Sequence, residues 1–201
     1  MKNLIALICL LTFSYSLTAQ NNILKGKHSI YFEGGFKTNS QTSVVTVFNT
    51  VETKTGFIGS LNYGYFWDEE WALNFSAGIF GAEANTKYNN TEVNGIASVL
   101  FGIRYYPANL SLGDIGRVYI GSSIGQFIGF ATKTKNLFST ENLSESVLGA
   151  QIIVGFDWYI ASWFKIGPSF SYYLMEDFKK VIGTENNMSG GGFSFDFGFL
   201  F

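Results

Sequence analysis

The sequence predicts an all-β protein, a transmembrane up-and-down antiparallel β-barrel of about eight strands. Three observations predict it. The chain of 201 residues is rich in aromatics and glycine, with 21 Phe, 11 Tyr and 23 Gly, yet only 14% of it is charged. That is about half the charge of an ordinary soluble domain. Its apolar residues alternate with small polar ones over long segments, as they do in strands that face two different solvents. Its first residues form an export signal.

The signal comes first. Met1, Lys2 and Asn3 make a short positive start, residues 4–17 are apolar, and Ala19 offers a small residue for cleavage. The chain is therefore divided into a signal peptide, 1–19, and a barrel domain, 20–201. Cys9 lies in the signal and follows Ile8, which is not the small residue a lipoprotein site needs. The mature chain then has no cysteine, which excludes disulfides and thiol chemistry. Its formal charge is −2 with Lys2 and about −3 without it, and nothing in it points to nucleic acid. After the signal no apolar run reaches the roughly 18 residues of a membrane helix. Any span must be a closed barrel, because lipid leaves no partner for an open strand edge.

Eight segments alternate. In 28–37, Ile30, Phe32 and Phe36 share one face, and Tyr31 and Glu33 the other. In 55–67, Phe57, Leu61, Tyr63, Tyr65 and Trp67 oppose Ser60, Asn62 and Gly64. In 71–82, Trp71, Leu73, Phe75 and Ile79 oppose Asn74, Ser76 and Gly78. In 93–106, Val99, Phe101, Ile103 and Tyr105 oppose Ser98, Gly102 and Arg104. Segment 117–131 sets Ile120, Ile124 and Ile128 against Tyr119, Gly121 and Ser123. Segment 146–159 sets Leu148, Ile152, Val154 and Trp158 against Gln151, Gly155 and Asp157. Segment 163–175 sets Ile166, Phe170, Tyr172 and Leu174 against Lys165, Ser169 and Ser171, and Pro168 within it predicts a bulge. Segment 192–201 sets five phenylalanines against Ser194, Asp196 and Gly198. A soluble sandwich would need a much more charged outer face. The small polar face suits a narrow lumen, and the apolar face suits lipid. Leu73, Phe101 and Ile152 should stand near mid-membrane.

The connections alternate in length. Segments 68–70, 108–116 and 160–162 are short; 38–54, 83–92, 132–145 and 176–191 are longer and polar. Both termini then lie on the short-turn side, which is periplasmic in such barrels, and the long loops are extracellular. Trp67, Trp71, Trp158 and Trp163 flank two short turns, and Tyr105, Tyr106 and Tyr159 stand beside them. This predicts an aromatic girdle at one interface.

The last strand runs Phe193-x-Phe195-x-Phe197-x-Phe199-x-Phe201 and ends on phenylalanine. With the export signal, this run resembles small bacterial outer-membrane barrels of the OmpX/OmpA-like type over about residues 25–201. The resemblance implies the bacterial outer membrane as location and outer-membrane lipid as surroundings. It also implies that Phe197, Phe199 and Phe201 form the signal read by the barrel-assembly machinery. It implies no cofactor, and the long loops match no particular member.

Little in the chain carries chemistry. His28 is the only histidine, and without mature cysteine a His/Cys zinc site is excluded. A Ser-His-Asp arrangement would serve a lipid-modifying barrel enzyme, but the topology puts His28 at the periplasmic side. By the resemblance, such enzymes work in the outer leaflet. Gly34-Gly35 and 190–192 lack the strand-to-helix setting of a phosphate loop. Glu33, Arg104, Asp157, Lys165 and Asp196 all fall on the polar face. Buried charges must pair, and an eight-stranded barrel is narrow enough for side chains to fill it. These five should form one lumen network that blocks water flow. Asp157 should face Lys165 across the 160–162 hairpin. Glu33 and Asp196 should meet where the first and last strands close the barrel, with Arg104 or Lys165 reaching to them. Asn85, Asn89, Asn90, Asn136, Asn142, Asn186 and Asn187 place polar side chains in the long loops, for solvation or for an extracellular ligand. The expected function is that of a non-enzymatic integral outer-membrane barrel, structural or acting on surfaces through its loops. A small channel or transporter, a lipid-modifying enzyme and a soluble secreted sandwich are the alternatives.

Overall fold

In a computed structural model, which describes residues 24–39, 55–87, 90–113, 115–135, 140–180, 182 and 186–201, eight strands close into a barrel. They are β1 (His28–Asn39), β2 (Thr55–Phe66), β3 (Trp71–Lys87), β4 (Asn90–Tyr105), β5 (Gly116–Lys135), β6 (Thr140–Ala161), β7 (Phe164–Met175) and β8 (Gly190–Leu200). Each pairs antiparallel with its neighbours in sequence, and β1 pairs with β8 to close the ring, Phe32 opposite Phe197. A 3₁₀ turn at Ala108–Leu110 is the one helical element among the described residues. The expected signal peptide, 1–19, and the loop 40–54 lie outside the described residues.

Alternation sets the two surfaces. Phe32, Phe75, Phe101, Ile124, Ile152, Phe170 and Phe195 stand exposed on the outside. Their neighbours Tyr31, Asn74, Gly102, Ser123, Gln151, Ser171 and Ser194 are buried inside. An exterior this apolar is stable only against lipid, and a closed ring leaves no unpaired edge within it.

The expected strand ends need correction on the extracellular side. Residues 83–92 and 132–145 are not mainly loop. β3 and β4 stay paired up to Lys87 opposite Asn90, and β5 and β6 up to Thr134 opposite Thr140. Beyond the membrane both faces of a strand meet water, so polar residues on both faces no longer argue against a ladder. β6, at 22 residues, carries roughly 30 Å more strand than the 12-residue β1. A bulge between Phe80 and Glu83 lets β3 leave the cylinder there, and Gly81 supplies its φ of +62°.

The bulge expected at Pro168 is also corrected. β7 keeps one register past it: Ser169 pairs with Gly155 and Ile166 with Trp158, with no pair between to require the missing N–H. The irregularity falls instead between Tyr159 and Ala161, at the turn.

Candidate functional site: a lumen sealed at two levels

The lower, periplasmic half of the lumen is a layer of charge and tyrosine. Arg104 from β4, Asp157 from β6, Lys165 from β7, Asp196 from β8 and Glu33 from β1 are all buried. Lys165 Nζ donates to Asp157 Oδ2 at 2.7 Å, and the Tyr106 hydroxyl donates to the same oxygen at 3.0 Å. The guanidinium of Arg104 lies between two rings, 4.3 Å from the centre of Tyr119 and 4.7 Å from that of Tyr31. Lys165 Nζ stands 4.6 Å from the Tyr31 ring centre, so Tyr31 joins the two cations. Its hydroxyl donates to Asn74.

Glu33 and Asp196 are direct register partners across the β1–β8 seam. Serines, not cations, serve Glu33: Ser60 donates to it at 2.8 Å and Ser194 at 2.6 Å. Asp196 accepts from Tyr119 at 3.0 Å, and Arg104 Nη1 stops 4.0 Å short of it. Lys165 turns to Asp157 and not to the seam. The structure therefore brings all five expected charges into one layer, joined through groups not included in the expected network. Those groups are Tyr31, Tyr106, Tyr119 and the seam serines.

Space for the rings comes from glycine. A Cβ on Gly198 would stand 2.3 Å from that of Tyr31, and one on Gly155 would stand 2.5 Å from the Tyr119 ring. Tyr106 and Tyr159, expected in the girdle, are instead buried with Phe66, Ile153 and Leu200 at the lumen floor. Adjacent residues of a strand face opposite ways, so Trp158 outside sends Tyr159 inside. Leu24, fully buried, closes the floor. The Glu69 carboxylate fastens it by accepting the backbone N–H of Leu24 at 3.0 Å and of Lys25 at 3.1 Å.

The upper half is filled differently. Ile58, Phe80, Ile96, Leu100, Phe127 and Tyr173 point inward from β2 to β7 and form one apolar cluster. Phe178, Ile182 and Met188, from the segment between β7 and β8, drop into the mouth and complete it. Lys37 is buried there, donating to the Met188 carbonyl, with its Nζ 5.2 Å from the Phe80 ring centre. Between the two layers lies a cavity of about 10 Å³, lined by Glu33, Ser60, Ser76, Ser98 and Gln151 among others. It has room for about one water.

On the outside, Trp67, Trp71, Trp158 and Trp163 are exposed at the turns. Trp67 stacks on Trp71 at 6.1 Å, Trp71 meets Tyr105 at 4.6 Å and Trp163 stacks on Phe199 at 5.9 Å. Phe197, Phe199 and Phe201 face outward on the same side. His28 N–H donates to the Phe201 carbonyl at 2.8 Å, and its ring lies against Phe201 and Tyr65. His28 Nδ1 is 2.6 Å from the Tyr63 hydroxyl. This is an interfacial aromatic cluster at the periplasmic rim. Among the described residues no group of three His, Cys, Asp or Glu could hold a metal ion.

Of the loop asparagines, Asn90 sits in β4 and Asn142 in β6, while Asn187 donates to Asp177 at 2.5 Å. Asn89 and Asn136, and the side chain of Asn85, lie outside the described residues.

Three solved structures share this architecture. The attachment invasion locus protein of Yersinia pestis, Ail, is 16% identical, covering 88% of this chain and 99% of that one, with a TM-score of 0.57. Neisserial surface protein A is 14% identical over 87% and 97%, at 0.58. OprG, an outer-membrane protein of Pseudomonas aeruginosa, is 13% identical over 89% and 97%, at 0.50. No protein-family model and no curated protein matches the sequence. The fold is thus that of these small outer-membrane barrels. With its lipid-facing belt the chain is an integral outer-membrane barrel.

Proposed function

We propose that this barrel is a closed, non-enzymatic anchor that presents an extracellular recognition surface. The observation that carries the reading is the lumen, filled by charge and tyrosine below and by apolar side chains above. A filled lumen gives water no path. The working surface is then the part of the chain outside the membrane.

That part has a shape. Above the belt β3–β6 continue as a four-stranded sheet, while β2 pairs with β3 only as far as Phe80 and β7 with β6 only as far as Gly149. Among the described residues no strand pairs with the outer side of 83–87 on β3 or of 140–147 on β6, while the Leu148 carbonyl accepts from the Glu176 N–H at 3.1 Å. Exposed strand edges offer unpaired backbone groups and are a recurring site for a partner strand. Ail, a barrel of similar fold, has been solved in complex with the heparin analogue sucrose octasulfate, so a barrel of this architecture can take a ligand. Insertion of the chain through Phe197, Phe199 and Phe201 by the barrel-assembly machinery belongs to the same proposal. Phe201→Asp should leave aggregated or degraded protein in the periplasm.

Trimming the two projecting hairpins tests the reading. A chain shortened within 83–92 and 132–145 should still migrate as a folded, heat-modifiable barrel. It should also lose the surface phenotype of the full chain, whether adherence, autoaggregation or phage adsorption. A trimmed barrel that keeps every surface phenotype overturns the proposal.

A further inference from the structure

We propose that the β1–β8 seam binds one proton, held on Asp196 and serving a chain of hydroxyls that ends on an ionised Glu33. The inference rests on counting donors where the barrel closes. Ser194 Oγ is 2.6 Å from Glu33 Oε1 and 2.9 Å from Ser169 Oγ. Ser169 Oγ is in turn 3.3 Å from Asp196 Oδ1. Each serine owns one hydrogen. Ser194 spends its hydrogen on Glu33, so the contact between the serines uses that of Ser169. The contact from Ser169 to Asp196 is then left with two acceptors unless Asp196 carries a hydrogen of its own. With that hydrogen every link is made: Asp196 donates to Ser169, Ser169 to Ser194, and Ser194 to Glu33.

The distances say which carboxyl is charged. A hydroxyl bound to a carboxylate closes to about 2.5–2.7 Å, and a neutral bond is longer. Glu33 draws Ser194 to 2.6 Å and Ser60 to 2.8 Å, and Ser60 is itself fed by Asn62 at 2.7 Å. Asp196 holds its serine, Ser169, only at 3.3 Å, while its 3.0 Å bond from Tyr119 equals the one Asp157 accepts from Tyr106. The cations behave accordingly. Lys165 closes to 2.7 Å on Asp157, whereas Arg104 rests between Tyr31 and Tyr119 with Nη1 4.0 Å from Asp196.

Charge balance agrees. The groups facing the seam are Glu33 and Asp196 themselves, Arg104 from β4, Tyr119 from β5, Asp157 from β6, Lys165 from β7, the Tyr31 ring from β1 and, across the small cavity beside Glu33, Tyr173 from β7. If all three carboxyls were ionised against two cations, the lower layer would keep one uncompensated negative charge in a dry interior, a costly state. One proton removes it. Lys37, four residues up β1 from Glu33, is engaged above the layer, where it donates to the Met188 carbonyl with its Nζ 5.2 Å and 5.9 Å from the Phe80 and Tyr173 ring centres.

The site makes an asymmetric prediction. Asparagine at 196 has an N–H where the proposal puts the acid hydrogen, so Asp196→Asn should keep the chain of bonds. Its folding equilibrium in lipid vesicles should match that of the wild type. Glu33→Gln removes the charged acceptor of two hydroxyls and should weaken folding by about tenfold or more. Infrared difference spectra of the wild-type barrel should show the carbonyl band of one buried protonated carboxyl, absent from Asp196→Asn. The proposal is overturned if Asp196→Asn weakens folding as much as Glu33→Gln. It is equally overturned if the wild-type spectrum lacks the band, a result that does not depend on either variant folding.

Discussion

In the periplasmic half of the barrel, a layer of charged and phenolic side chains bound to one another stands on an apolar floor of Leu24, Phe66, Ile153 and Leu200, and every member but Leu24 and Tyr106 comes from a strand. In the extracellular half the strands turn Ile58, Phe80, Ile96, Leu100 and Phe127 inward, and the seal is finished by Phe178, Ile182 and Met188 from outside the sheet. The difference separates fixed from removable. The lower layer cannot be taken away without breaking buried ion pairs on the wall. The upper layer depends on a segment outside the eight strands, held by apolar contact and by a few hydrogen bonds, among them Lys37 to the Met188 carbonyl and the Lys179 and Lys180 N–H groups to Glu145.

The strongest way to break this comparison is to strand a charge below. Lys165→Ala leaves Asp157 buried without its cation and should cost about 3–5 kcal/mol, measured by urea unfolding in lipid vesicles. A loss no greater than that of an upper-layer truncation would erase the distinction. The divide is internal, so the outer belt should ignore it. Phe101→Arg should cost about 2–4 kcal/mol at mid-membrane, whereas Gln151→Arg, facing inward, should not show that dependence on membrane depth. Equal depth dependence at both would mean that the faces are misassigned.

Truncations in the mouth should be gentler. Phe178→Ala with Met188→Ala should cost less than the roughly 3–5 kcal/mol of a phenylalanine truncation in a closed core, because the segment can detach. Trypsin should then cut faster after Lys179 and Lys180 while the unfolding midpoint of the barrel moves little. An unchanged cutting rate would show that the segment is not held by these side chains.

The smallest effect is expected at Glu145, above the belt on β6. Its carboxylate accepts the backbone N–H of Lys180 at 2.9 Å and of Lys179 at 3.0 Å. The Lys180 bond first, then the Lys179 bond, hold it below the usual glutamate range. A carboxyl lowered in the folded state contributes fully above the unfolded value and loses that contribution as pH falls through the lowered one. Measured against the intrinsic exchange rate, which itself falls on acidification, the protection of the Lys179 and Lys180 amides should therefore drop as the pH is lowered through that range. Glu145→Ala should show the fast exchange already at neutral pH.

The outer surface was legible because lipid imposes one rule on it. Phe32, Phe101 and Ile152 had to be apolar and their neighbours small, and period two followed. The rule ends with the bilayer, so 83–92 and 132–145 looked like loops, whereas their described residues, 83–87 with 90–92 and 132–134 with 140–145, are ladders. The upper seal did leave a signal: Phe57-Ile58, Ile79-Phe80, Leu100-Phe101 and Phe127-Ile128 are apolar pairs that interrupt strict alternation. An apolar residue beside an outward one must face the lumen. The same parity separates Tyr105 in the girdle from Tyr106 at the floor. The five charges were visible as exceptions on a small polar face. Their partners were not, because a tyrosine facing inward looks the same in the sequence whether it stacks on arginine or fills space. The return of Phe178, Ile182 and Met188 to the mouth has no periodicity to announce it.

The central claim is that the lumen is closed at both levels. Single-channel recording of the refolded wild-type barrel in a planar bilayer tests it most directly. A lumen sealed at both levels leaves the membrane silent under steady voltage, with conductance appearing only when Lys165 or Arg104 is truncated together with Phe178. Steady ohmic steps from the wild-type protein would contradict it.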